Sequence, residues 1–246
     1  MITYCGSTDV GRHRAMNEDA IHVEDGLFVV CDGMGGHKAG EVASQLAIES
    51  IVAFARRSGD DPEITWPYGF DPRMSFNGNR LRTAIKLGNR TVFRKAASAD
   101  EYTGMGTTVV AALVSSSAQM TYASVGDSRI YLIRDGAILQ LTRDDSWANL
   151  ATDEGVSGAN FRNVLTKAVG AQDDVDFDIG VQALADGDVV LLCSDGLTNM
   201  LADARILEIA TAHRADLERA CTELIAEANR QGGRDNISAV LVRYAR

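Results

Sequence analysis

The chain has 246 residues, a length that fits one large domain or two small ones, and its 46% apolar and 24% charged residues are ordinary for a soluble globular protein. Its net charge of −10 argues against non-specific binding of nucleic acid, because a phosphate backbone demands a basic face. The chain opens with no secretory signal pattern and has no apolar run of about 18 residues, which predicts a cytoplasmic protein that does not enter a membrane.

The first half of the chain combines short β-rich runs with two long helical patterns. Strands are expected at residues 2–7, 20–24 and 27–31, and helices at residues 39–57 and 80–97. A tight turn at Asp25-Gly26 joins the second and third strands. The segment 58–79 contains all three prolines and several aromatic residues, and we interpret it as an ordered loop insertion. A role for this loop in contacting substrate stays open.

The second half of the chain is mainly a run of strands followed by a pair of helices. Strands are expected at residues 107–114, 120–124, 129–133, 138–141, 175–181, 188–193 and 237–244, and helices at residues 202–211 and 216–231. The helices come in pairs and the strands follow one another through tight turns such as Asp135-Gly136. This order predicts an α+β protein with antiparallel sheets covered by helix pairs, rather than an alternating βαβ sheet.

The four cysteines are far apart in the chain and show no metal-binding spacing. They are Cys5, Cys31, Cys193 and Cys221. Three of them stand in or beside apolar runs, so we expect small core residues rather than ligands. A reducing cytosol suits unpaired thiols of this kind.

Aspartate recurs where apolar strands are expected to end. The four residues concerned are Asp32, Asp127, Asp195 and Asp235. Asp32 and Asp195 each follow a long apolar run and precede a glycine. Clustered carboxylates repel one another unless a cation offsets their charge, and oxygen ligands favour Mg²⁺ or Mn²⁺ over Zn²⁺. Because Asp-Gly is also a common turn sequence, a purely structural role for each pair stays open.

A cation also stands close to two acids near the start of the chain. Arg14 precedes Glu18 by four residues and Asp19 by five. An arginine fork can bind two phosphate oxygens at once. The alternative is a surface ion pair, which would contribute about 0–1 kcal/mol to stability and carry no function.

Taken in order, these segments resemble the motifs of the metal-dependent protein phosphatase family, the type 2C serine/threonine phosphatases, in their bacterial form. The matching segments are Arg14-x-x-Asn17-Glu18-Asp19 and residues 30–36, 40–44, 104–108, 125–129, 141–142, 163–170, 193–197 and 233–238. One such motif would be weak evidence, but this ordered set runs nearly from end to end. The resemblance implies a single domain over residues 1–246, folded as an αββα sandwich of two face-to-face antiparallel sheets flanked by helix pairs. It also implies a flap at residues 144–161.

The resemblance assigns a metal-binding role to several residues. It implies that Asp32 bridges two Mn²⁺ or Mg²⁺ ions and that Gly33 offers its carbonyl oxygen to one of them. Asp195 and Asp235 would complete one metal site. In the other site, Glu18 would hold the ion largely through water, and Asp19 would orient the bound waters.

Three further residues receive roles from the same resemblance. Asp127, sharing Asp195, matches a third and weaker metal site of bacterial relatives. Arg14 is expected to bind the substrate phosphate. Asn236 is expected to fix the position of Asp235 or of a bound water.

The implied activity is hydrolysis of phosphoserine and phosphothreonine in proteins. The resemblance implies direct attack by a hydroxide that bridges the two metal ions, with Arg14, Asp32 and Asp195 as the catalytic residues. The implied substrates are phosphorylated proteins, including a serine/threonine kinase and its targets, and the expected state is a cytoplasmic monomer that binds neither nucleic acid nor membrane. The alternative on the same fold is a regulatory module that is non-catalytic or acts as a switch.

The chain departs from the family at two places beside the expected site. Met34 stands where eukaryotic relatives have a histidine that is proposed to protonate the leaving alcohol, so a metal-bound water is expected to do this here. His37 and His13 are weaker candidates for that role. In the flap, Asp145 replaces the histidine that bacterial relatives usually carry, and the stretch that follows is a few residues shorter.

Overall fold

The computed structural model describes residues 1–24, 26–36, 38–61, 63–147 and 164–246. Three sequence predictions therefore lie outside the described residues: the Asp25 half of the first turn, His37, and residues 148–161 of the expected flap. None of the described helices is both long enough and apolar enough to cross a membrane.

Eleven described strands form two antiparallel sheets. In chain order they are β1 (Ile2–Asp9), β2 (Asp19–Glu24), β3 (Leu27–Met34), β4 (Gly106–Thr107), β5 (Val109–Val114), β6 (Gln119–Val125), β7 (Arg129–Arg134), β8 (Ala137–Gln140), β9 (Ile179–Ala183), β10 (Val189–Cys193) and β11 (Ile237–Tyr244). One sheet has the order β1-β11-β10-β7-β8, and the other has the order β2-β3-β5-β6-β9, with β4 paired to β3. The expected turn at Asp135-Gly136 is confirmed, because both residues have positive φ angles, as a two-residue hairpin turn of type I′ requires.

The helices flank these sheets. They are α1 (Ala39–Asp60), α2 (Phe76–Ala96), α3 (Asp195–Thr198), α4 (Asp203–Ala212) and α5 (Leu217–Arg230), with a 3₁₀ turn at Asp100–Tyr102. Helices α1 and α2 extend into the expected loop 58–79 from both sides, so the described connection between them is shorter than predicted. Ser75 begins α2 because its hydroxyl oxygen accepts a hydrogen bond from the Gly78 backbone N–H.

Three apolar layers establish the architecture. Helices α1 and α2 pack on one sheet around residues such as Ile51 and Ile85, and helices α4 and α5 pack on the other sheet around residues such as Leu224. A third cluster, which includes Phe28 and Leu192, lies between the two sheets. The predicted αββα sandwich is therefore confirmed. Cys31, Cys193 and Cys221 are buried free thiols within these layers, as the sequence predicted.

The alternation of side chains along each strand explains the unbroken apolar runs. In β3, Val29 and Cys31 face the helices, whereas Phe28 and Val30 face the opposite sheet. Both faces of this strand are buried from Leu27 to Cys31, so every position in that stretch is apolar. The same alternation decides where the polar residues at the end of the strand point.

An ion pair next to the first residue of β10 supports a prediction about stability. Asp188 is buried; its carboxylate accepts two hydrogen bonds from Arg134, at 2.8 and 2.6 Å, and one from the Ala185 N–H at 2.7 Å. We expect Asp188→Ala to lower the free energy of unfolding by about 2–3 kcal/mol, because Arg134 and the Ala185 N–H lose a buried, charged acceptor. Thermal denaturation should show a drop in melting temperature of roughly 4–12 °C.

The matched control for this prediction is Asp186→Ala, which removes an exposed carboxylate two residues away. We expect the control to melt within about 2 °C of the unchanged protein, since a substitution at an exposed position usually changes stability by about 0.5 kcal/mol or less. Equal melting temperatures for the two variants would contradict the prediction.

Candidate active site

A cavity of about 600 Å³ lies at the edge of the sandwich. Seven of the nine residues singled out from the sequence line it: Arg14, Glu18, Asp32, Gly33, Asp127, Asp195 and Asp235. Asp19 and Asn236 do not line the cavity, although both contact residues that do. Residues that are more than 200 positions apart in the chain thus meet at one place.

Asp32 lies within a strand rather than after it, and Asp19 is the first residue of a strand rather than just before it, which differs from the sequence-based expectation. Strand β3 continues to Met34, and Asp32 is the register partner of Asp19, the first residue of β2. Asp32 has the same parity as Phe28 and Val30, so its side chain points between the two sheets. The strand edge therefore delivers both carboxylates to the gap between the sheets.

Two serines that the sequence reading missed hold Asp19. The hydroxyls of Ser194 and Ser238 each donate a hydrogen bond of 2.7 Å to Asp19 Oδ2. Burial, partly offset by these two hydrogen bonds, raises the pKa of Asp19 to about 6. Strand alternation could have identified both serines. Ser194 comes two positions after Leu192, and Ser238 comes two positions before Val240, and both of these apolar residues face the gap between the sheets.

The backbone of Asp32 is held by two threonines. Thr108 Oγ1 accepts a hydrogen bond from the Asp32 N–H at 3.0 Å, while Thr107 Oγ1 and the Thr108 N–H each donate to the Asp32 carbonyl oxygen at 2.8 Å. Burial raises the pKa of Asp32 well above its usual range, and the nearby charges of Asp19 and Asp195 raise it further. These threonines belong to one of the sequence motifs, but their contacts could not be read from it.

Gly33 and Gly40 permit a close approach of two backbone segments to Glu18. A Cβ atom at Gly33 would lie 2.0 Å from the Gly40 carbonyl oxygen, and one at Gly40 would lie 2.5 Å from Glu18 Oε1. No larger residue fits at either position without a shift of the backbone. Gly33 was expected beside the metals, and the structure places it against the cavity.

Asp195 begins the short helix α3, which the sequence reading did not predict. Its Oδ2 accepts a hydrogen bond of 3.0 Å from Asn199 Nδ2, and its carboxyl group lies close to that of Asp32. Burial raises the pKa of Asp195, and the charge of Asp235 raises it further. Gly196 is required because a Cβ atom there would lie 1.9 Å from the Asn236 carbonyl oxygen.

Arg14 and Asp235 form an ion pair at the mouth of the cavity. Arg14 Nη2 lies 2.7 Å from Asp235 Oδ2, and half of the Arg14 side chain is exposed. The hydrogen bond to Asp235 raises the pKa of Arg14. This pair leaves the guanidinium group accessible from solvent.

Asn236 holds the segment that carries Arg14 and Glu18 and also contacts Asp235, the residue that it was expected to position. Its side-chain N–H groups donate to the carbonyl oxygens of Val10 and Met16, each at 2.9 Å. Its Oδ1 accepts a hydrogen bond of 2.8 Å from the Glu18 N–H. The backbone N–H of Asn236 donates a hydrogen bond of 2.9 Å to Asp235 Oδ1.

Asp127 reaches the cavity from the end of β6. Burial raises the pKa of its carboxyl group to about 7, with smaller contributions from the charges of Asp195 and Asp144. Gly126 turns the chain here with a φ angle of +99°, and a Cβ atom at that position would lie 2.6 Å from Thr108 Cγ2. Met34 also lines the cavity, and its thioether has no proton to donate.

The donor set has the chemistry of a site for hard divalent cations. Glu18 Oε1 and Asp19 Oδ1 are buried and have no hydrogen-bond partner among the described residues. Such acceptors normally have a partner in a folded protein, and a cation would provide one. Among the described residues, no three Asp, Glu, His or Cys side chains have the geometry to coordinate one metal ion together. Arg14 and Asn199 occupy two of the carboxylates instead.

The comparisons with known proteins agree with this geometry. Residues 10–241 match the sequence model of the family described as Protein phosphatase 2C. The serine/threonine phosphatase stp of Listeria monocytogenes is 35% identical over 252 residues, a stretch that covers 96% of this chain and 93% of that protein. A crystal structure of the Mycobacterium tuberculosis serine/threonine phosphatase PstP/Ppp superposes with a TM-score of 0.86 at 32% identity, covering 100% of this chain and 99% of that one.

A second solved structure carries metal ions. The catalytic domain of the serine/threonine protein phosphatase PstP, in complex with two manganese ions, has a TM-score of 0.83 and 31% identity to this chain, with coverage of 100% and 99%. The family match spans most of the sequence, and relatives above 30% identity align along almost all of it. The chain therefore belongs to the protein phosphatase 2C family.

Proposed function

We propose that this protein hydrolyses phosphoserine and phosphothreonine in proteins, using two Mn²⁺ or Mg²⁺ ions. The observation that carries the proposal is the convergence of Glu18, Asp32, Asp195 and Asp235 on one cavity, with Arg14 at its mouth. Burial and mutual repulsion raise the pKa of Asp32 and of Asp195. Ionisation of these carboxyl groups therefore costs free energy unless a cation offsets their charge. Membership of the phosphatase family supports the same activity.

Five residues would hold the two ions. Asp32 would bridge them, Gly33 would offer its carbonyl oxygen, Asp195 and Asp235 would complete one site, and Glu18 would serve the other. Asp19, whose carboxylate accepts hydrogen bonds from two serine hydroxyls, would orient metal-bound waters without binding an ion directly. When bound, such ions activate water and neutralise charge on the phosphoryl group. Asp127 would contribute to a third ion.

Arg14 would bind the phosphate oxygens of the substrate. Its guanidinium group is half exposed at the cavity mouth and now donates to Asp235. A dianionic phosphate offers it a bidentate partner, and Asp235 would then be released toward a cation. The exchange places the phosphorus atom beside the carboxylate cluster and orients it for attack.

Hydrolysis of a chromogenic phosphate ester and of phosphothreonine peptides tests the proposal. We expect turnover that requires Mn²⁺ or Mg²⁺ and disappears when a chelator is added. The Asp195→Asn variant, with one ligand oxygen replaced by an amide, serves as the inactive control. Absence of turnover with Mn²⁺ over pH 7–9 would contradict the proposed function.

Replacing Arg14 should act mainly on substrate binding. Arg14→Ala removes a charge-assisted hydrogen bond of about 1.5–3 kcal/mol, so we expect KM for a phosphopeptide to rise roughly 10–100-fold, with a smaller fall in kcat. Arg14→Lys keeps the charge but loses the planar fork, so its KM should lie between that of the unchanged protein and that of Arg14→Ala. Steady-state kinetics at saturating Mn²⁺ measure the split, and a fall in kcat at unchanged KM would contradict the assigned role.

We also propose a monomeric cytoplasmic protein that opposes a serine/threonine kinase and acts on that kinase and its targets. The two further expectations, a non-catalytic module and a switch-type module, are not favoured, because every expected metal-binding acid is present and all but Asp19 line the cavity. Size-exclusion chromatography with light scattering checks the monomer. Dephosphorylation of a co-expressed kinase, followed by mass spectrometry, checks the substrate.

A further inference from the structure

Two chain segments meet beside the mouth of the cavity and bring three arginines to one rim. The Arg12 N–H donates a hydrogen bond of 2.7 Å to the Gly233 carbonyl oxygen. A Cβ atom at Gly233 would lie 3.1 Å from Arg12 Cγ, so the Arg12 side chain runs along this second segment. Arg12, Arg14 and Arg234 are all exposed. We call these three residues the arginine rim.

Two members of the arginine rim have no partner within the part of the chain that the structure describes. Neither the Arg12 nor the Arg234 side chain makes an ion pair or hydrogen bond with any described residue. Arginines that pair with carboxylates elsewhere in the described part of the chain include Arg56, Arg73, Arg129, Arg134, Arg205 and Arg230. Arg12 and Arg234 share their exposure with other arginines that make no ion pair with a described residue, such as Arg57, Arg90 and Arg94; what distinguishes them is their position in the chain close to Arg14 and Asp235, which line the cavity.

The rim lies within reach of a peptide whose phosphate occupies the cavity. Arg12 is two residues from Arg14, and Arg234 is next to Asp235, which lines the cavity. Two residues span at most about 7 Å between Cα atoms. An extended peptide advances about 3.3 Å per residue, so a side chain two or three residues from the scissile phosphoresidue would lie over the rim.

Charge complementarity identifies what the rim would bind. Guanidinium groups bind phosphate and carboxylate through paired hydrogen bonds, and arginine clusters are a common means of recognising phosphorylated or acidic segments. A protein of net charge −10 repels an acidic peptide at long range, and a local basic rim offsets this repulsion at the entrance. A neutral peptide would gain nothing from these two side chains.

We propose that Arg12 and Arg234 select phosphoprotein segments that carry a second anionic side chain, a phosphate or a carboxylate, two or three residues from the phosphoresidue in the cavity. The inference rests on the proposed phosphatase function and narrows its substrate class. It assigns to Arg12 and Arg234 a role in substrate choice, separate from the metal ions and from the phosphate-binding role of Arg14.

A set of matched phosphothreonine peptides tests the proposal. They differ only at the second and third positions on either side, which hold neutral residues, glutamate, or a second phosphothreonine. We expect kcat/KM with saturating Mn²⁺ to be about 5–10-fold higher for the anionic peptides than for the neutral one, since each partly exposed charge pair is worth a few-fold. The preference should shrink as salt is added, because the contacts are exposed.

The double variant Arg12→Ala/Arg234→Ala should lose this preference, so that anionic and neutral peptides differ by less than twofold. Arg12→Lys/Arg234→Lys should retain part of it. The charge-matched control is Arg57→Ala, in the last turn of α1, which is exposed and about 25 Å along the helix from the cavity end. This control should keep the full preference.

Binding of fluorescent peptides, followed by anisotropy, separates the two proposals. A binding preference for anionic peptides that vanishes in the double alanine variant, without hydrolysis of any peptide, would support the rim and contradict the phosphatase function. Equal binding and equal kcat/KM for anionic and neutral peptides in the unchanged protein would contradict the proposed role of Arg12 and Arg234. A preference for anionic peptides that survives in the double alanine variant would also contradict it. A preference for the second phosphate alone would identify phosphate as the source of the anion.

Discussion

Asp32→Asn is expected to abolish metal-dependent hydrolysis and, in protein freed of divalent ions, to raise the melting temperature near neutral pH. Asp32 is the proposed bridge between the two ions, and its amide replacement supplies one weak oxygen ligand in place of two charged ones. Metal catalysis contributes several kcal/mol to the transition state, so we expect kcat/KM to fall by about a thousandfold or more.

The expected gain in stability follows from the direction of the pKa shift. Burial and the charges of Asp19 and Asp195 raise the pKa of Asp32 in the folded protein above its unfolded value of about 3.9. Above that value the unfolded chain ionises more readily than the folded one, so ionisation destabilises the fold as pH rises. The Asp32→Asn variant has no carboxyl group to ionise at this position, so it avoids this loss of stability. Its advantage should be largest at neutral pH and should vanish as the pH falls toward about 4.

Thermal denaturation in a chelator, measured over this pH range, checks the second half of the prediction. Asn has nearly the same size and shape as Asp, and its amide can donate a hydrogen bond to the nearby carboxyl group of Asp195, so the fold should tolerate it. Asp186→Asn, at an exposed position remote from the cavity, is the control and should show no pH-dependent difference. A variant less stable than the unchanged protein at neutral pH would contradict the proposed electrostatics, whatever its activity.

Removal of divalent ions from the unchanged protein should have a comparably large effect. Chelation should stop hydrolysis and lower the melting temperature, because the buried carboxylates then repel one another without a cation. Mn²⁺ at a hundred times its dissociation constant should stabilise the fold by about 2.7 kcal/mol. For a chain of this length, that corresponds to roughly 5–11 °C in a thermal scan.

The stabilisation should depend on the ligands rather than on ionic strength. NaCl at matched ionic strength should not reproduce it, and Asp195→Asn should reduce it, because Asp195 belongs to the proposed site. Isothermal titration with Mn²⁺ gives the affinity and the number of ions bound. A melting temperature that does not change with Mn²⁺, together with no heat of binding, would contradict the metal centre.

The ordered motifs and the family that they resemble predicted the fold class and seven residues that line the cavity. Local patterns contributed the apolar runs before Asp32 and Asp195, the glycine after each, and the helical spacing over 39–57. Local patterns report what a residue does within its own strand or helix. The same patterns misplaced the ends of elements, because the first turn of α2 and the whole of α3 depend on capping and packing rather than on periodicity.

Only the tertiary structure could decide which residues support the site. Ser238 lies 219 positions from Asp19, and Asn236 lies 218 from Glu18, yet both pairs are hydrogen-bonded. Strand pairing and sheet packing bring them together, and no local pattern encodes that pairing. The sequence by itself determined which side chains carry charge and which face of a strand they occupy. The packing of the two sheets determined that these faces meet at one edge, where burial raises the pKa of Asp32 and leaves oxygens of Glu18 and Asp19 without a hydrogen-bond partner among the described residues.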